Sequence, residues 1–102
     1  MREYFKKWSN YVISAVRYDP QRRQVTHLKR RILTQNGLSE PNIVPREKVI
    51  ASLSAGKTYC TAVKSETGEW LRGYDLYLTG ENFLKTVKTD KPVDFIADVP
   101  EF

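Results

Sequence analysis

The sequence predicts a single α+β domain made of a basic N-terminal β-hairpin, one short helix and an antiparallel three-stranded meander, packed into a largely antiparallel sheet. Three observations carry that expectation. Short stretches rich in β-branched and aromatic residues recur, each ending at a turn signal. One segment only, REKVIASLSAG, has helical rather than alternating spacing. The chain has 102 residues, 40% hydrophobic and 12% aromatic, enough for one core and too short for two.

Residues 1–10 read as an arm, in which Tyr4, Phe5 and Trp8 among Arg2, Lys6 and Lys7 suit a short amphipathic turn docked on the domain of residues 11–102. YVISAVRYD (11–19) reads as a strand ending at Asp19-Pro20, and RRQVTHLKRRIL returns as its hairpin partner. TQNGLSEPNIVP (34–45), with Asn36-Gly37, Pro41 and Pro45, reads as a loop. Pro45 suits the first turn of the helix, Val49, Ile50 and Leu53 form its apolar side, and Gly56 suits its C-terminal cap. KTYCTAVK (57–64), EWLRGYDLYLT (69–79) and FLKTVKT (83–89) form the meander, with Gly73 as a bulge. The tail anchors through Val93, Phe95, Ile96, Val99 and Phe102, between acids at Asp90, Asp94 and Asp98.

Charge is distributed unevenly. The net charge of +5 divides into +7 over residues 1–31, +1 over 32–66 and −3 over 67–102. If residues 23–33 are extended, Thr26, Leu28, Arg30 and Ile32 share one face and Val25, His27, Lys29 and Arg31 the other. Leu28 and Ile32 then point to the core, and His27, Lys29 and Arg31 form an exposed basic row beside Arg23. Arg30 needs either an acidic partner or a bulge. Whether the row is a binding face, or is neutralised by the acidic tail folding back on it, is open at this level.

Several chemistries are excluded or unsupported. Cys60 is the only cysteine, which rules out an internal disulfide and suits a reducing cytoplasm. With one Cys and one His, no zinc site and no other metal or cofactor is expected. Asp90, Asp94 and Asp98 lack the loop pattern of a calcium hand. SAGKT (54–58) ends like a phosphate-binding loop but has Ala51 in place of the leading glycine, and its Gly follows a helix instead of preceding one. A Cys60–His27 pair reads better as a buried small side chain and a strand histidine than as a nucleophile and its base. No enzymatic activity is therefore expected. No stretch is long and apolar enough to span a membrane, and MREYFKKWSN lacks a signal-peptide core, so a cytoplasmic location is expected.

VISAVRYD, REKVIASLSAGKTYCTAV, GEWLRGYDLYL and the final VPEF together resemble a family of short bacterial proteins catalogued as a domain of unknown function. Its pattern is a V-x-x-V-R hairpin, an R-E-x-V-I helix ending in Gly, a G-x-W-x-x-G strand and a closing L-P-x-F or similar. The resemblance covers residues 11–102 and supports the element boundaries. The family has no established activity, so it implies no catalytic residue. Arg17, Trp70, Gly73 and Pro100 match its pattern, each with an ordinary structural explanation: strand ion pair, core aromatic, bulge and tail turn.

The functional expectation is a small non-enzymatic binding protein. Arg22, Arg23, His27, Lys29 and Arg31, with Lys6 and Lys7 from the arm, could neutralise the phosphates of a nucleic acid. Tyr4, Trp8 and Tyr18 could stack on bases or anchor an interface. The rival expectation is a protein-interaction module or homodimer using a strand edge or exposed aromatics.

Overall fold

The computed structural model describes residues 8–102. Strands β1 (Tyr11–Tyr18) and β2 (Val25–Arg31) form the expected hairpin. Its turn is organised by Asp19, whose main-chain carbonyl accepts the Arg22 N–H and whose carboxylate accepts the Arg23 N–H, both at 2.9 Å.

The stretch read as a loop holds more structure than expected. β3 (Leu33–Thr34) and β4 (Gly37–Leu38) form a small hairpin around Asn36-Gly37, with Gly37 at φ 108°. β5 (Asn42–Pro45) then joins the main sheet outside β2. Proline is tolerated there because an edge strand leaves one row of N–H groups unused, and the prolines hid the strand from a pattern reading.

Helix α1 (Arg46–Ser54) follows directly, with Pro45 as its N-cap. Its end is the expected glycine cap. The Gly56 N–H donates to Leu53 O and the Lys57 N–H to Ser52 O, both at 3.0 Å, with Gly56 at φ 95°.

The meander comprises β6 (Tyr59–Lys64), β7 (Trp70–Leu78) and β8 (Leu84–Lys85). The third strand is two residues long instead of the seven expected. Lys85 ends it, because its buried ammonium is held by Thr89 O, Thr89 Oγ1 and Lys91 O and so draws the chain into a loop. The sheet order is β5-β2-β1-β6-β7-β8, and β1 pairs with β6 in parallel, so the sheet is mixed rather than wholly antiparallel.

Val12–Val16 of β1 are buried on both faces of this sheet. On one face Ile13, Val16, Val25, Leu28, Tyr59, Leu76 and Ile96 pack together with Val49 of α1. The other face carries a smaller cluster, Val12, Cys60 and Ala62, with Trp8, Leu33, Leu38 and Trp70 against it. The two expected faces of β2 hold over residues 27–31, with Leu28 fully buried. Val25 departs from them. An irregularity opposite Arg17/Tyr18 turns it into the main core, 1% exposed, instead of onto the basic face. Ile32, expected inside, lies beyond the end of β2 and is 40% exposed. Arg30 faces the core side without an acid: it donates to Tyr59 Oη at 3.0 Å and lies 4.1 Å from the centre of the Tyr11 ring. A bulge at Ser14 on β1 sits opposite it.

Gly73 is the expected bulge. Gly73 and Tyr74 together oppose Thr61, whose Oγ1 accepts the Tyr74 N–H at 2.9 Å. A Cβ at Gly73 would lie 2.3 Å from that same Oγ1. Gly73→Ala should therefore lower stability by about 1–3 kcal/mol, read from the urea unfolding midpoint. Adding Thr61→Ala should recover part of that loss by removing the clash. Among the described residues, no helix is long and apolar enough to cross a membrane.

Candidate nucleic-acid interface

The regular part of β2 places His27, Lys29 and Arg31 on the sheet face opposite α1, as the alternation predicts. β1 adds Arg17, which is paired with His27 in the register. Around this row lie two aromatic rings. The Arg17 guanidinium and the Lys29 ammonium are 4.5 and 4.9 Å from the centre of Phe102. The Arg31 guanidinium and the Lys64 ammonium are 4.8 and 5.3 Å from Trp70. These are favourable cation–π contacts. Among the described residues the ion pairs are Arg22–Glu101, Arg46–Asp94 and Arg72–Asp75, and none involves Arg17, Lys29, Arg31 or Lys64.

The members of the site differ in how freely they can be used. Arg31 is also tied to the fold, donating to Ser14 Oγ at 2.9 Å and to Ser39 O at 3.2 Å while it covers the small second core. His27 is half-buried, with Nδ1 3.2 Å from Thr26 Oγ1. It stands beside Arg17, whereas Cys60 stands beside Val12 near the other end of β1, so the two form no catalytic pair.

Other expected members lie elsewhere. Arg23 is exposed in the β1–β2 turn and not in the row, because the strand begins only at Val25. Arg22 is taken by the tail: its two terminal nitrogens donate to the Glu101 carboxylate at 2.8 and 2.6 Å, which holds that carboxyl below the usual range. The Arg22 guanidinium also lies 4.7 Å from the centre of the Tyr18 ring. Tyr18 is thus no open stacking surface, since its hydroxyl also accepts the Ile96 N–H at 3.2 Å. Trp8 packs on the second core cluster instead of standing free. Tyr4, Lys6 and Lys7 lie outside the described residues.

Arg17, Lys64, Trp70 and Phe102 escaped the sequence reading as site members. The alternation of β2 could not show which distant residues come to rest against it. The acidic tail reaches the strip through the Glu101 carboxylate on Arg22 and through the ring and main-chain oxygen of Phe102, which meet Arg17 and Lys29.

Cys60 is fully buried, with Sγ 3.3 Å from the Ser9 hydroxyl, and burial pushes its thiol above the ordinary value. Burial does the same to the half-buried Tyr18 hydroxyl. Both groups hold their protons more tightly when folded. Their contribution to stability is full below about pH 8.5, where the unfolded thiol starts to ionise, and is lost as pH rises through the folded values. Urea midpoints should therefore fall on going alkaline, and less steeply in Cys60→Ala. A thiol reagent should label the protein only after unfolding.

Among the described residues the fold is a small mixed sheet with one helix, and the sheet face opposite that helix carries cations set against two aromatic rings. Compared with family models, with curated proteins and with solved structures, the chain finds no match.

Proposed function

We propose that the protein is a small non-enzymatic binding protein that holds nucleic acid on the sheet face carrying Arg17, His27, Lys29, Arg31 and Lys64. The observation that carries this is four cations flanking two aromatic rings on one face, none of the four paired with an acid among the described residues. Unpaired cations in such a row suit a phosphate backbone, whose neutralisation supplies most non-specific affinity. The half-buried Trp70 ring and the arginine planes give bases a surface to lie on.

The test is binding of labelled single-stranded and duplex oligonucleotides across about 50–300 mM salt, where phosphate contacts weaken steeply. Micromolar or tighter binding with a steep salt slope is expected. No binding at the lowest salt overturns the reading.

One observation favours a second reading, a protein partner. β7 carries exposed Leu71, Tyr74 and Tyr77, and no described strand pairs outside β7 between Trp70 and Leu76. An edge of that kind can accept a partner's strand. Loss of a captured partner on Leu71→Lys, with oligonucleotide binding absent, would select this reading.

A further inference from the structure

The last three residues occupy the proposed face and are held to it differently from the tail before them. Up to Ile96 the tail is anchored: Asp94 is buried and fully bonded, and Ile96 is buried in the main core. Beyond that point the attachment thins. Pro100–Phe102 touches β1 through a single parallel bridge, with Val16 N–H donating to Pro100 O and Phe102 N–H to Val16 O, both at 3.0 Å. Its one ion pair, Glu101 with Arg22, has both side chains about half exposed, at 48% and 60%, where water and salt weaken it.

The junction has an unusual backbone conformation. Asp98 has φ 67°, a left-handed conformation that a residue with a side chain adopts at a cost. Val99 still packs against the main core, and beyond it Glu101 lines a cleft of about 840 Å³ together with Tyr18 and Arg22. Yet the segment engages three cations. Arg22 is neutralised by Glu101, and Arg17 and Lys29 lie against Phe102, with Arg17 Nε also donating to Phe102 O at 3.0 Å.

We propose that Pro100–Phe102 is a displaceable strap that competes with the nucleic-acid backbone for Arg17, Arg22 and Lys29, hinging beyond the Val99 anchor. This rests on the reading of the face as a nucleic-acid site and assigns that site its regulation. A polyanion that takes the three cations removes the contacts holding the strap. The strap's own contacts set how tightly nucleic acid binds.

The test compares wild type with Phe102→Ala and with Glu101→Gln/Phe102→Ala, using one labelled single-stranded oligonucleotide at several salt concentrations. The double variant is expected to bind about tenfold tighter, from the loss of one exposed ion pair and of two cation–π contacts. Phe102→Ala alone should also bind tighter although it changes no charge, which separates competition by the strap from simple removal of an acid. In wild type, oligonucleotide should speed hydrogen exchange at the Val16 and Phe102 amides while Val25, held by buried Asp94, keeps its protection.

Wild-type binding with no gain in Phe102→Ala and unchanged exchange at Val16 and Phe102 overturns the strap and leaves the face standing. Absence of binding by wild type and both variants overturns the face, and the strap with it.

Discussion

Asp94→Ala is expected to lower the unfolding free energy by about 3–5 kcal/mol, the range for removing one partner of a buried ion pair. The Asp94 side chain has no exposure, and the paired Arg46 side chain is 9% exposed. Its two oxygens accept Arg46 Nε at 2.8 Å and Nη2 at 3.0 Å, and also the N–H groups of Val25 and Leu84, both at 2.8 Å. One carboxylate thereby joins the start of β2, the start of α1, the start of β8 and the tail. Alanine would leave a buried guanidinium with only Asn82 O, and two buried N–H donors without acceptors. Urea unfolding with wild type alongside reads the loss directly. Replacing the pair together, as Arg46→Met/Asp94→Leu, should remain clearly destabilising, unlike many buried pairs, because the Val25 and Leu84 N–H groups stay unsatisfied. A double variant close to wild type would show that the main-chain bonds matter less than the geometry implies.

Arg17→Gln/Lys29→Gln/Lys64→Gln should weaken nucleic-acid binding by about two orders of magnitude at low salt. It should also reduce the log–log salt slope by about 2–3, which is the loss of three phosphate contacts. The choice of residues follows from their attachments. Arg31 is left in place because it bonds Ser14 and Ser39 and covers Trp70, so its loss would disturb the second core as well as the charge. Arg22 is left because Glu101 already neutralises it. The three chosen side chains have only cation–π contacts or a hydrogen bond to Phe102 O, so circular dichroism and melting should change little. Unchanged affinity and slope in a folded variant would remove this face as the site.

The difference between Arg31 and Lys29 illustrates what a pattern of alternation can and cannot tell. Period two placed both on one face, correctly, because that is a property of any extended chain. It could not tell that Arg31 spans β1 to reach Trp70 while Lys29 meets the Phe102 ring, since both rings come from segments dozens of residues away. Asp94 shows the same limit from the other side. In the sequence it is one of three spaced tail acids, and only the closed fold makes it the buried acceptor for four donors.

Local devices of this protein were legible along the chain: the β1–β2 turn at Asp19-Pro20, a helix beginning after Pro45 and capped by Gly56, the bulge at Gly73, the buried Leu28 and the basic row of β2. Each depends on backbone preferences or side-chain spacing within a few residues, which neighbours in the chain impose directly. Tertiary structure alone decided the parallel pairing of β1 with β6, the strand hidden between Pro41 and Pro45, and the inward turn of Val25 at a bulge. It also decided that the acidic tail meets the basic strip mainly through an aromatic ring. Those outcomes turn on which distant segments exclude water together and which buried donors find acceptors. Such terms have no counterpart in the spacing of residues along the chain.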